Sequence, residues 1–405
     1  MESLFKAVHY ERGAGVDHAA AEQFGLAQAE KVRAFHRSFP EYAPTPLADL
    51  ARLARELGIA ALRVKDESCR FGLNAFKVLG GSYCLGRCVA ERLGLEPDSL
   101  TFAELTSPEV LAKIDGSTFV TATDGNHGRG VAWTAAKLKQ RCVVYMPKGS
   151  AAERLENIRR TGADASITEF NYDRTVELAR ETAAKNGWTL VQDTSWPGYE
   201  EIPLRIMQGY LTMTLEAAEQ LDGEKPTHVF LQAGVGSMPA AAAAFFANLY
   251  GAERPIVTIV ESNQADCIYH TAAARDGKIH AVNGDMRTIM AGLACGVPGM
   301  TAWELLRRCA DNFVSMPDYP AAQGMRILGA PLPGDPRVIS GESGASAFGL
   351  VTEVLRNPGL KWLKEQLRLD ENSRVLCFST EGATDRANYR RIVWDGAFAR
   401  DRSVS

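Results

Sequence analysis

Residues 227–246, THVFLQAGVGSMPAAAAAFF, decide the fold. The apolar run from Thr227 to Gln232 predicts a strand, Gly234 and Gly236 predict a tight turn, and the alanine-rich run after Ser237 predicts a helix. A strand that turns through glycines into a helix aims backbone N–H groups and the positive helix end at one point, where an oxyanion can approach the main chain. A phosphate is the natural guest. A rival reading shares these residues: Gly234-x-Gly236 before a helix, with Glu261 ending the next strand, is also the layout of a dinucleotide-binding turn and its ribose carboxylate. Pro239 in the third glycine position speaks against it. A tight turn with no ligand is the third reading.

Outward from this unit, strands are predicted at 60–67, 118–123, 141–147, 164–170, 188–193, 255–261 and 373–379. Helical patterns lie between them, at 152–162, 172–187 and 201–221, and in the last Ile202, Ile206, Tyr210 and Met213 form one apolar stripe. Strands that are apolar almost throughout and alternate with helices predict an α/β fold around parallel sheet, covered on both faces. The polar segment 90–117, with its two prolines, breaks the rhythm and is expected to cross between domains; a second crossing is expected at 187–200.

The 405 residues hold 45 Lys and Arg against 49 Asp and Glu, a net charge of −4, which leaves no basic footprint for nucleic acid. With 46% hydrophobic residues the chain is long enough for two or three domains with real cores, which excludes disorder as the whole answer. No run of about 18 apolar residues is present to span a bilayer, and the opening MESLFKAVHYERG lacks the regions of a signal peptide. A cytoplasmic location is expected. The eight cysteines show no CxxC and the histidines no HExxH, so no metal site is expected, and Cys84 and Cys88 read as buried small residues.

In SCRFGLNAFKVLGGSY (68–83), Asn74 reads as the N-cap of a helix beginning near Ala75, which puts Lys77 in its first turn. The helix dipole and the apolar neighbours Phe76, Val78 and Leu79 both favour a neutral amine there. Only a neutral amine attacks a carbonyl, so Lys77 suits Schiff-base chemistry; an exposed, merely tolerated lysine is the plain alternative.

Four ordered motifs, Asn74-Ala75-Phe76-Lys77, Thr123-Asp124-Gly125-Asn126-His127-Gly128, Gly234-Val235-Gly236-Ser237 and Ser379-Thr380-Glu381-Gly382, together resemble the pyridoxal-phosphate enzymes of the tryptophan-synthase β-subunit superfamily, fold type II. TDGNHGRGVAW, VQDTSWPGYEEIP, GESGASAFG and FSTEGATD are most similar to the diaminopropionate ammonia-lyase family. The resemblance implies an α/β, two-domain, three-layer architecture of open twisted sheets with helices on both faces. It implies pyridoxal 5'-phosphate as cofactor, a large cofactor domain from 1–88 and 189–405, a small domain inserted at 89–188, and a homodimer. Lys77 becomes the Schiff-base lysine, Asn126 the partner of the ring hydroxyl, and Gly234, Val235, Gly236, Ser237 and Met238 the phosphate cradle. Alignment places the hydroxyl that meets the pyridine nitrogen on Ser379, with Thr380 next in line.

The implied reaction is α,β-elimination of 2,3-diaminopropionate, with water, to pyruvate and two ammonia. Related serine and threonine dehydratases usually carry Ser where this chain has Asp124. A carboxylate suits the cationic β-ammonium, and Asp124 with Asp193 forms a matching pair of acceptors. Asp124 is also placed to act as a second base, so both D and L isomers are expected as substrates. Thr123, His127 and Tyr172 complete the expected substrate contacts, with Glu342 behind them. A serine or threonine dehydratase, a nicotinamide oxidoreductase built on Gly234, Gly236 and Glu261, and a non-catalytic metabolite-binding protein are the alternatives. Cys267 and Cys295 are expected near each other at the site mouth, as a disulfide or as two buried free thiols. After FSTEGATDRANYRRIVW no extra tail of about 80 residues is left for an effector domain, so feedback through one is not expected.

Overall fold

The computed structural model describes residues 4–11, 22–96 and 100–400. Eleven strands form two sheets among them: β1 Lys6–His9, β2 Leu47–Asp49, β3 Ala61–Asp66, β4 Thr118–Ala122, β5 Arg141–Met146, β6 Asp164–Ile167, β7 Thr189–Leu190, β8 His228–Gln232, β9 Ile256–Ser262, β10 Asn312–Met316 and β11 Arg374–Ser379. The larger sheet runs β1-β10-β9-β8-β11-β3-β2 and the smaller β6-β5-β4-β7. Every pairing is parallel except at the two edges of the larger sheet, where β1 runs against β10 and β2 against β3. Helices cover both faces, which gives the α/β, fold type II arrangement of two open sheets.

The pleat sorts the central strands between two cores. In β8, Val229 and Leu231 pack with the helix Ser237–Tyr250, while Phe230 packs with Phe348 and Leu350 of the helix Ser346–Arg356. In β11, Leu376 and Phe378 join the first core, whereas Val375 and Cys377 join the second. Side chains that alternate between covered faces explain the unbroken apolar runs.

Three local expectations are corrected. No helix begins at Ala75: Phe76 N–H donates to Thr380 O at 3.0 Å and Gly382 N–H to Asn74 O, so the segment is tied to the end of β11, Asn74 takes a φ of 59°, and the helix starts at Val78. The strand expected over 188–193 shrinks to β7, because Ala122 N–H is taken by the Gln192 side chain in place of a backbone carbonyl. The helix expected over 201–221 divides at Tyr210 into Glu201–Gly209 and Leu211–Gln220, with Ile206, Tyr210 and Met213 buried as expected. Gly209 allows the first of these to cross Val78–Leu93 closely, since a Cβ there would lie 2.5 Å from Leu79 O.

Strands β1, β2 and β10 were not expected; the first two are short edges, and β10 carries Asn312 and Ser315 within five residues. The crossing expected at 90–117 holds the helices Phe102–Leu105 and Pro108–Ile114, and residues 97–99, including Pro97, lie outside the described residues. Among the described residues no helix is long and apolar enough to cross a membrane.

Candidate active site

A cleft with about 690 Å³ of non-atom space, its mouth included, opens where the C-terminal ends of β4, β7, β8 and β11 converge. Ligands of open α/β sheets bind at such strand ends. The turn after β8 supplies Gly234, Val235, Gly236, Ser237 and Met238 to its wall. Gly236 takes a φ of +95°, a conformation open to glycine, and a Cβ at Gly234 would stand 3.1 Å from Cys295 Sγ. The helix Ser237–Tyr250 begins here, and the first N–H groups of any helix lack intrahelical partners. The turn therefore has the geometry of an anion cradle.

Lys77 lines the opposite wall, and its Nζ donates to Asp193 Oδ2 at 2.6 Å. Burial alone pulls the amine down, but Asp193 foremost, then Tyr210 and Asp124, outweigh it and hold Lys77 well above its ordinary value. The neutral amine read from the sequence is thus corrected: the helix dipole was visible there, the buried counter-charge was not. Asp193, also buried, is held down at about 2: desolvation pushes it up, and the charge and hydrogen bond of Lys77 overcome that push. Tyr172 O–H reaches Asp193 Oδ1 at 3.4 Å, and Ser237 Oγ donates to the Asp193 carbonyl at 2.5 Å, joining the carboxylate's loop to the glycine turn.

His127 is fully buried at 1% exposure and does not line the cleft. Its Nε2 faces Val191 O at 2.8 Å, and since a carbonyl only accepts, the proton sits on Nε2. Nδ1 is left as a bare lone pair, 3.9 Å from Asp193. Burial pushes the imidazole below its ordinary value, so it is neutral. Thr123 is corrected as a substrate contact: its hydroxyl accepts from Gly125 N–H and Gly128 N–H, shaping the turn into the helix Asn126–Lys137. Asp124, one residue on, lines the cleft with an Arg154 N–H 3.2 Å from Oδ2. Burial raises its carboxyl, with Arg154 and Lys77 opposing.

Asn126 lines the cleft and donates from Nδ2 to Glu381 Oε2 at 2.5 Å. Glu381 also accepts from Ser343 N–H and Thr384 O–H, so it orients the Asn126 amide. Ser379 is corrected as the cofactor hydroxyl. It lies on the Val375 and Cys377 side of β11, fully buried, and donates to Ser340 Oγ at 2.8 Å. Thr380 has the opposite parity and lines the cleft. Gln232 Nε2 donates to Thr380 Oγ1 at 2.9 Å and to Phe378 O at 2.8 Å; the carbonyl partner fixes the orientation of the amide.

Glu342 is buried behind the cleft, accepts from Asn388 Nδ2, and is pushed up to about 7 by burial and then by Glu381. Glu261 lies elsewhere: it accepts from Ile268 N–H and Tyr269 N–H at the start of the helix Cys267–Ala274, which removes the ribose-binding role of the oxidoreductase reading. Cys267 and Cys295 are both buried free thiols, the second in the cleft wall. Sequence reasoning missed Gln232, Tyr210, Ser343, Arg154 and the role of Glu381. Glu381 and Ser343 carried a signal, their places in FSTEGATD and GESGASAFG.

The residues present fit pyridoxal phosphate. A lysine faces a glycine-bounded helix start, a hydroxyl stands at the floor, and two buried polar atoms on the cleft wall, Tyr210 O–H and Gln232 Oε1, have no partner among the described residues. Comparison with known proteins agrees. Residues 39–378 match the model of the pyridoxal-phosphate dependent enzyme family. The chain is 51% identical to a diaminopropionate ammonia-lyase of Salmonella typhimurium over 91% of this chain and 92% of that protein. The crystal structure of Escherichia coli diaminopropionate ammonia lyase with an aminoacrylate-PLP azomethine reaction intermediate superimposes with a TM-score of 0.89 at 45% identity, covering 98% of each chain. Its complex with D-serine gives 0.90 at 44% over the same shares. This chain therefore belongs to the pyridoxal-phosphate-dependent enzyme family, among its diaminopropionate ammonia-lyases.

Proposed function

We propose that this enzyme takes 2,3-diaminopropionate, D or L, and one water to pyruvate and two ammonia. The observation that carries the reading is the pair of carboxylates, Asp124 and Asp193, on the cleft wall beside Lys77. A hydroxy amino acid offers them no cation; the β-ammonium does.

Lys77 would attach the cofactor, the Gly234–Met238 backbone and the helix start behind it would hold the phosphate, Asn126 would meet the ring hydroxyl, and Thr380 would meet the ring nitrogen. Pyridoxal phosphate, when bound, supplies an electron sink for the charge that develops at the substrate α-carbon. Lys77 Nζ is paired with Asp193 at 2.6 Å. When the substrate amine frees Lys77 and the β-ammonium takes over the Asp193 carboxylate, Lys77 lacks the counter-charge that would hold it protonated, and its amine acts as a base. It then removes the α-proton of the L isomer, and the carboxylate of Asp124 serves for the D isomer. Tyr172, whose O–H reaches Asp193 Oδ1, keeps Asp193 oriented through the exchange.

We also propose that the chain acts as a homodimer in the cytoplasm, where eight free thiols are at home. The small unit inserted at 89–188 is proposed with its end moved to Leu190, since β7 pairs with β4. Pyruvate and ammonia released from each isomer test the reaction. A ratio of one to two supports it; faster turnover of serine or threonine than of either diaminopropionate isomer overturns it in favour of a dehydratase.

A further inference from the structure

The helix Ala152–Arg159 buries Arg154 in its first turn, at 6% side-chain exposure. Two costs meet there: a guanidinium leaves water, and it faces the positive end of a helix. Carboxylates from separate segments offset them. Asp124, after β4, lies 3.2 Å from Nη1 and Glu342 4.0 Å from Nη2, with Glu381 and Asp385 adding to the field. Gly125 makes room for the stem, since a Cβ there would stand 3.0 Å from Arg154 Cδ. Nε has no partner among the described residues, and Arg154 lines a second opening with about 2050 Å³ of non-atom space, open solvent included, which shares Asp124 and Tyr172 with the catalytic cleft.

Asp124 stands between charges of both signs. Arg154 faces it from its own helix and Lys77 from the start of Val78–Leu93, while Glu381 and Asp193 oppose from the segments after β11 and β7. His127, Tyr172 and Cys295 are also within its field. Lys77 is committed to the cofactor. Arg154 is the cation whose charge is permanent.

We propose that Arg154 is a positioning residue for the D isomer: its stem packs into the space left by Gly125, and its guanidinium holds Asp124 oriented and ionised for proton removal. The inference rests on the reading of Asp124 as the base for that isomer. A carboxylate without its cation binds its proton more tightly, so loss of Arg154 moves the acid limb of the D reaction to higher pH. The L reaction uses Lys77 as its base and meets Asp124 only through the β-ammonium, so its acid limb moves less.

The test is kcat/KM against pH for both isomers in the holoenzymes of the parent, Arg154→Met, Arg154→Lys and Asp124→Asn, with cofactor affinity measured by equilibrium dialysis. For Arg154→Met the D profile shifts up by about one pH unit, a roughly tenfold loss on its acid side. The L limb moves by less and the cofactor affinity holds, and Arg154→Lys, which restores the charge without the fork, recovers part of the shift. Where Arg154→Met yields no folded protein, the comparison of isomers in Arg154→Lys decides. Equal losses on both isomers with unmoved limbs overturn the proposal. If Asp124→Asn is itself blind to the isomer, the reading beneath the proposal falls; if it is D-selective while Arg154→Met is not, only the role of Arg154 falls.

Discussion

Lys77 Nζ donates to Asp193 Oδ2 across 2.6 Å, joining the residue before the helix Val78–Leu93 to the loop after β7, and each residue sets the charge of the other. A substrate that brings its own cation can break this pair by replacing one partner.

Lys77→Ala is expected to remove turnover by a factor of at least about 10³, within the range of lost general-base catalysis, while the protein still folds. It leaves Asp193 buried without its cation, so stability falls by up to about 3–5 kcal/mol. Near-parental elimination by the purified variant would remove Lys77 from its role.

Asp124→Asn is expected to cost the D isomer at least about tenfold more in kcat/KM than the L isomer, because only the D reaction uses its carboxylate as a base. Asp193→Asn weakens both, since both isomers carry the β-ammonium it binds. Steady-state kinetics on both isomers checks the pair; equal losses in Asp124→Asn leave it a recognition role alone, and a parent without D activity removes the argument.

The depressed carboxyl of Asp193 gives the cofactor-free protein a pH signature. A group whose folded value, about 2, lies below the unfolded value of about 3.9 adds stability above the latter and loses it as pH falls through the former. About 2–3 kcal/mol is at stake between pH 4 and pH 2. Denaturant titrations across that window should show this limb in the parent and a flatter one in Asp193→Asn; equal slopes would contradict the assignment.

Thr380→Val is expected to weaken cofactor binding roughly tenfold, the worth of one buried hydrogen bond, and to shift the absorbance band of the bound cofactor. Ser379→Ala should leave both unchanged, because its hydroxyl donates to Ser340 on the other side of β11. Cofactor titrations of the two variants settle which hydroxyl faces the ring.

Sequence alone determined the strand–glycine–helix unit at 227–246, most of the parallel strands, and Lys77 and Asp124 as candidate site residues, which the fold brings to one cleft. These are legible because strand and turn signals are local, and because four motifs in order constrain one another. Tertiary structure decided the rest. Ser379 and Thr380 are neighbours in sequence, and only the register of β11 against β3 and β8 shows which one the pleat turns toward the cleft. The helix after Lys77 starts at Val78, three residues later than the Asn74 cap signal predicts, because a carbonyl of Thr380, far along the chain, takes the Phe76 N–H. Arg154 reads as one more surface charge in AERLENIRR until the fold closes over it. Its burial depends on where Asp124, Glu342 and Glu381 come to rest, and a pairing between distant segments leaves no trace in the spacing of either.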